Sequence, residues 1–187
     1  MDDGSTDNTW NLIETYSREN PVLVKGIRLS ANMGHQKALL AGMLAARHYA
    51  DVVITIDADL QDDVDAIDEM LECYRGGDEI VCGVRSNRKG DGLFKRISAA
   101  LFYSFMRLLG AKLIYNHADF RLMSSKAIAA LAERNESRLF LRGLVPHLGY
   151  KTSRVLYERK KRAAGTSKYS LRKMLGLAFD GIAGRYK

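Results

Sequence analysis

The hydrophobic pattern of this chain switches between two periods, and the switches mark out an alternation of helices and strands. STDNTWNLIETYSREN, residues 5–20, offers Ser5 and Asp7 as capping residues and then sets Trp10, Ile13 and Tyr16 at helical spacing. PVLVKGIRL is strand-like, and NMGHQKALLAGMLAARHYA reads as a glycine-opened turn into an Ala/Leu-rich helix. DVVITIDAD is a short apolar run of the kind buried on both faces of a parallel sheet. DVDAIDEMLECYRGG follows as a helix with acids in its first turn and glycines at its end, then DEIVCGVRS as another strand.

Beyond the polar loop NRKGDG, residues 93–114 read as a helix, with Phe94, Ile97, Leu101, Phe105 and Leu108 at helical spacing. ADFRLMS is a short strand and SKAIAALAER a helix; FLRGLVPHLGY and KTSRVLYERKKR add a helix and a strand. AAGTSKYS is a loop, and LRKMLGLAFDGIAG closes as an amphipathic helix that either packs on the domain or lies on a membrane interface. Strands alternating with helices predict an α/β fold with a doubly wound, mainly parallel sheet.

Composition narrows the class. At 187 residues, 47% hydrophobic and 27% charged, the chain is long enough for one core-bearing domain. Cys73 and Cys82 fall in a predicted helix and strand without metal-ligand neighbours, so reduced core cysteines are expected. No signal peptide is evident, and no uncharged apolar run reaches the roughly 18 residues of a spanning helix.

The net charge of +7 conceals a gradient. Residues 1–84 carry 6 Lys and Arg against 16 Asp and Glu; residues 85–150 carry 12 against 4, and residues 151–187 carry 11 against 2. An acidic front suggests a held cation, and a basic back suggests an anionic partner. RKKRAAGTSK lacks interleaved aromatics, and no nucleic-acid-binding signature accompanies it, so anionic lipid fits better than nucleic acid.

The acidic residues concentrate at the exit of the predicted strand in DVVITIDAD. In open α/β sheets ligands bind beyond the carboxyl ends of the strands. Asp57 and Asp59 flank one alanine there, and extended geometry would point both to one side. Two hard oxygen donors in one place suit Mg²⁺ or Mn²⁺, although a polar strand end entering a helix cap is the plainer reading of so short a pattern.

DDGSTDNT, NMGHQKALLAG, DADLQDD, ADFRLMS and AGTSKY occur in the order and spacing of the family 2 glycosyltransferases. Over essentially its whole length the chain resembles their polyprenyl-phosphate branch, which includes bactoprenol glucosyltransferases and dolichol-phosphate mannose synthases. GHQKALLAG and GTSKYSLRKML bring it nearest the bactoprenol type. The resemblance implies a GT-A fold, a nucleotide-sugar donor, a polyprenyl-phosphate acceptor, Mg²⁺ or Mn²⁺, and work at the cytoplasmic face of the membrane.

Residue by residue, the resemblance matches Asp2 and Asp3 to contacts with the nucleotide base and ribose. It matches Asp57 and Asp59 to the family's Asp-x-Asp pair, with Asp59 foremost as direct metal ligand and Asp57 nearer the ribose or the metal shell, and places Gln61 with Asp57 among the nucleotide-sugar contacts. Asp119 matches the acidic residue at the reacting centre, as base or as positioning group. Arg162, Ser167 and Lys168 match a segment that meets phosphate. Arg85 and Arg88 are either a solvated charge run or a clamp on the acceptor phosphate. For His35 a capping or packing role outweighs a donor-sugar contact; His117 reads as structural, and His48 and His147 have no ligand spacing.

Two departures shape the expectations. Family members carry a strand and helix before DDGS, which here follows only Met1, so the sheet is expected to lack its usual first strand. That predicts low stability, or a sheet completed by another segment or by a second copy in a homo-oligomer. Many bactoprenol-type relatives continue into transmembrane helices, whereas this sequence stops at Lys187. The expected organisation is a catalytic domain over residues 1–170 and a juxtamembrane helix over residues 171–187. The reading is a metal-dependent, inverting transfer of a hexose, glucose foremost, from a UDP-sugar. Alternatives are a GDP-mannose, UDP-N-acetylglucosamine or amino-pentose donor, an inactive membrane-associated module, or a basic nucleic-acid binder.

Overall fold

The computed structural model describes residues 1–86, 117–134 and 141–159. The expected helices over 93–114 and 171–184 lie outside them, as do Arg88, Arg162, Ser167 and Lys168. In chain order the elements are α1 (Thr9–Glu19), α2 (His35–Ala46), β1 (Val52–Thr55), α3 (Ala66–Arg75), β2 (Ile80–Arg85), β3 (His117–Ser124), α4 (Ser125–Ala132), α5 (Leu141–Leu144), a 3-10 turn (Val145–His147) and β4 (Thr152–Tyr157).

The sheet has the order β1-β3-β2-β4. β1, β2 and β4 share one direction, and β3 runs against them between β1 and β2. Three co-directional strands accord with the α/β reading, while the inserted β3 makes both of its own ladders antiparallel.

Side-chain alternation along β3 feeds two cores. Phe120 and Leu122 join Val81, Val155 and Tyr157 beneath Ala66 and Met70 of α3. Met123 joins Ile80 and Cys82 on the other face, covered by Met43 of α2, Ala127, Ile128 and Leu131 of α4, and Leu141 and Val145. The Phe120 and Tyr157 rings meet edge to face at 5.2 Å. Cys82 is buried, Cys73 is half-buried, and both are free thiols.

The amino-terminal region departs from its predicted form. PVLVKGIRL forms no extended strand: Arg28 alone bridges, in parallel, to Asp2, and Val22 and Leu23 are 88% and 85% exposed. A strand needs a ladder for its backbone groups, and among the described residues only Asp2 offers one, through bonds to Ile27 and Leu29. α1 leans on the same segment through the Ser17 Oγ donation to the Val24 carbonyl and buries no residue fully. Its expected cap also differs, since Asp7 accepts from the Thr9 amide at 3.0 Å from outside the Asn8 N-cap position.

β1 was expected to be buried on both faces, yet only Thr55 is buried. Among the described residues it pairs with β3 and no other strand, so one edge lacks cover. No helix among the described residues is long and apolar enough to cross a membrane.

Candidate active site

β1 delivers the acidic loop. The strand ends at Thr55, and Thr55 Oγ1 donates to the Asp119 carbonyl on β3, tying the two strand ends together. The extended geometry that would align Asp57 with Asp59 does not persist, because a turn follows at residues 58–59. Leu60 next adopts a positive φ of 57°, a backbone state that costs a non-glycine residue roughly 1–2 kcal/mol. Asp59 Oδ1 accepts from the Gln61 amide at 3.2 Å within this bend. Strain of this kind concentrates at ligand-binding loops.

Asp57 sits in a strongly anionic field. Its carboxyl is pushed up first by burial, then by the charges of Asp119, Asp62 and Asp59, with His35 acting in the opposite direction. Asp62 is buried; its Oδ1 accepts from the Tyr157 hydroxyl at 2.5 Å, while its buried Oδ2 has no hydrogen-bond partner among the described residues. Burial and that hydrogen bond push the Tyr157 phenol up to about 12, so it is a permanent donor. Arg85 Nε in turn donates to the Tyr157 oxygen at 3.3 Å, which places Arg85 beside the acidic loop. Arg159 Nη2 donates to Gln61 Oε1 and lies 3.7 Å from Asp59 Oδ2.

Facing these carboxylates is a cationic cluster built on β3. Asp119 and Arg121 are two apart on a strand and so share a face, where Arg121 Nη2 donates to Asp119 Oδ1 at 2.7 Å. Arg142, from α5, donates through Nε to Oδ1 at 3.1 Å and through Nη2 to Oδ2 at 2.9 Å. His35, the first residue of α2, meets Oδ2 through Nε2 at 2.8 Å. Burial alone would raise the Asp119 pKa, but the His35 hydrogen bond and the Arg142 guanidinium hold it well below the usual carboxylate range. The same hydrogen bond raises His35 against the opposing effect of its own burial. Arg121 is fully buried, and among the described residues its Nε and Nη1 have no hydrogen-bond partner.

The amino-terminal motif steadies the neighbouring loops. Asp3 accepts from the Met33 amide at 2.8 Å and the Gly34 amide at 3.0 Å, fixing the entry to α2. Gly34 takes φ 89°, the conformation that turns the chain into His35. Gly4 lies so close to residues 31–32 that a Cβ would stand 2.7 Å from the Ala31 carbonyl carbon. Asp2 is buried, accepts weakly from the Ser5 amide at 3.3 Å and lies 3.5 Å from Arg28 Nε.

Of the residues singled out from sequence, Asp57, Asp59, Gln61, Asp119 and Arg85 thus gather around the exits of β1 and β2. Asp2 and Asp3 tie the loop that leads to His35. Sequence reasoning passed over Arg121, Arg142, Arg159 and Tyr157 and gave His35 a capping or packing role ahead of a donor-sugar contact. Arg121 was signalled by its i, i+2 spacing from Asp119, whereas Arg142 meets Asp119 across a separation of 23 residues that no local pattern announces.

The donor set around Asp57 suits a hard divalent cation. Its carboxylates are crowded, the buried Oδ2 of Asp62 has no partner among the described residues, and a cation would relieve both conditions. No cluster of three or more acidic, His or Cys ligands is present among the described residues. Mg²⁺ is usually held by one or two carboxylates, with water and phosphate oxygens completing its shell.

Comparison with known proteins identifies the family. The family description "Glycosyl transferase family 2" matches residues 1–131. The chain is 54% identical over 97% of its length to the uncharacterized glycosyltransferase YkoT of Bacillus subtilis, spanning 54% of that protein. It is 36% identical, again over 97% of its length, to the bactoprenol glucosyl transferase of Shigella phage SfV, spanning 59% of it. Among solved structures, the glucosyl-3-phosphoglycerate synthase of Mycobacterium tuberculosis superposes with a TM-score of 0.53 at 16% identity, covering 98% of this chain and 65% of the other. That likeness establishes the GT-A fold. The chain belongs to glycosyl transferase family 2 and spans little more than half the length of these sequence relatives.

Proposed function

We propose that this family 2 glycosyltransferase moves glucose from a UDP-sugar to a polyprenyl phosphate, with inversion, at the cytoplasmic face of the membrane. The observation that carries the reading is the opposition of charge where the carboxyl end of β1 meets the amino-terminal end of β3. Crowded carboxylates at Asp57, Asp59 and Asp62 stand beside Asp119 with its two arginines and His35. A diphosphate and its cation carry complementary charges to these two groups. The choice of acceptor and sugar draws on the 36%-identical relative named as a bactoprenol glucosyl transferase.

Asp59 and Asp57 would hold Mg²⁺ or Mn²⁺, which when bound supplies charge stabilisation for a departing diphosphate. The Leu60 bend places Asp59 and Gln61 on one loop, and Asp3 steadies the loop that carries His35. A phosphate monoester acceptor is already largely a dianion at neutral pH, its second pKa being about 6, so it needs no strong base. Arg85 and Arg88 would clamp the acceptor phosphate through their guanidinium forks, and Arg162, Ser167 and Lys168 are given a phosphate-meeting role by resemblance. The closing segment 171–187 supplies the membrane contact.

Calorimetric titration of UDP and then GDP, with and without Mn²⁺, tests the reading. UDP binding that needs Mn²⁺ and disappears in Asp59→Asn is expected, followed by glucose transfer to a short polyprenyl phosphate. Tighter binding of GDP would replace the donor, and metal-independent binding preserved in Asp59→Asn would overturn the metal assignment.

A further inference from the structure

Asp119 is the residue to which a base would be assigned by its place near the reacting centre, but its surroundings give it a different task. Four nitrogen contacts converge on its two oxygens: Arg121 Nη2 and Arg142 Nε on Oδ1, Arg142 Nη2 and His35 Nε2 on Oδ2. A carboxylate offers about four lone-pair sites, so no site remains for an incoming proton while these partners stay. The cluster also holds one carboxylate against two guanidiniums, with a histidine as well, so it has a local excess of positive charge. Asp57 offsets part of that excess, but under the proposed function Asp57 is engaged by a cation.

We propose that Arg142 binds a phosphate group of the substrates and that Asp119 is the positioning residue that holds it there. The exposure of the four side chains separates their tasks. Asp119 and Arg121 are 3% and 0% exposed, whereas Arg142 and His35 are 37% and 43% exposed. A buried carboxylate, backed by a buried arginine, thus orients a guanidinium that reaches solvent. Such preorganisation is what a bidentate phosphate ligand requires.

The backbone supports the same assignment. Gln36 Oε1 accepts from the Leu141 amide at 3.0 Å, which fixes the start of α5 against the start of α2. Leu141 and Val145 on either side are buried in the core, so Arg142 stands on a firm base beside His35. Donor diphosphate and acceptor phosphate share the chemistry that this group would recognise. The inference rests on the proposed transfer from a nucleotide sugar, but its test can be separated from that reading.

The experiment compares wild type, Asp59→Asn, Arg142→Gln and Arg142→Lys, using inorganic pyrophosphate, UDP, uridine and a short polyprenyl phosphate as probes. Binding is followed by calorimetry or phosphorus NMR, and folding by thermal melting. Arg142→Gln is expected to weaken at least one phosphate-bearing probe tenfold or more while uridine binding changes less than twofold. Arg142→Lys, which keeps the charge without the fork, should recover part of the loss and serves as the test if the glutamine variant does not fold. A loss confined to UDP and pyrophosphate assigns Arg142 to the donor; a loss confined to the lipid phosphate assigns it to the acceptor. Pyrophosphate binding that survives in Asp59→Asn but fails in Arg142→Gln upholds the inference even if no sugar is transferred. Folded Arg142→Gln that binds every phosphate probe within twofold of wild type overturns it and leaves the proposed transfer standing.

Discussion

Replacing Asp119 by asparagine tests the energetics of the cationic cluster. Among the described residues the Asp119 carboxylate is the one hydrogen-bond partner of the buried Arg121 guanidinium, whose Nε and Nη1 have none there. Breaking a buried ion pair by removing one partner costs about 3–5 kcal/mol. Asparagine keeps one acceptor oxygen, which places the expected loss at the lower end, about 3 kcal/mol. Arg142 and His35 are each more than a third exposed, so their share is about 0–1 kcal/mol each. For a chain of 187 residues such a loss lowers Tm by roughly 6–12 °C.

The second half of the test is the double variant Asp119→Asn, Arg121→Met. A buried pair replaced by apolar side chains of similar volume is often neutral in stability, so the double variant should return to within about 1 kcal/mol of wild type. Urea unfolding of wild type, both single variants and the double variant gives the coupling directly. Additive losses in the double variant, or a loss below about 1 kcal/mol in Asp119→Asn alone, would refute the assignment of the cost to a stranded Arg121.

His35 has a raised folded pKa, so its stabilisation is complete below the unfolded value of about 6.5 and is lost as pH rises through the higher folded value. Wild type should therefore exceed His35→Gln in Tm by more at pH 6 than at pH 9; equal margins would count against the Asp119 contact. Asp57 has the opposite stability consequence: its raised pKa means that its ionised form costs stability above the folded value, a cost that disappears below the unfolded value of about 3.9. Asp57→Asn should melt higher than wild type at pH 7, with the margin shrinking towards pH 4, while losing Mn²⁺-dependent UDP binding. Tyr157→Phe should cost about 1.5–3 kcal/mol in urea unfolding, the range for a hydrogen bond to a charged group, and a loss under 0.5 kcal/mol would show that Asp62 finds another partner.

Periodicity located the elements that bury a face and failed where a neighbour was needed. α2, α3, β2, β3, α4 and β4 fall where their patterns place them. PVLVKGIRL has the composition of a strand, but composition supplies no ladder, and with only Asp2 to pair among the described residues it remains a bridge and a turn. Strand direction was equally beyond the pattern: nothing local in ADFRLMS says that it runs against its neighbours. The acidic half of the site was legible because its residues are contiguous in DADLQDD. The cationic half was not, because Asp119 collects its partners from α2, its own strand and α5.

The reversed direction of β3 is what brings the two halves together. Ligands of open α/β sheets gather at the carboxyl ends of parallel strands, which here are the ends of β1 and β2. Asp119 lies near the amino-terminal end of β3, so in a parallel strand it would stand at the opposite edge of the sheet. The antiparallel register pairs Thr55 with Arg121 and carries Asp119 past the end of β1, beside the chain leading to Asp57. One reversed strand thus adds an amino-terminal strand end to an edge otherwise made of carboxyl ends. Its Asp-x-Arg pair occupies the face covered by α2 and α5, so His35 and Arg142 can reach the same carboxylate. The opposition of acidic loop and cationic cluster follows from that register, which is why neither motif alone discloses it.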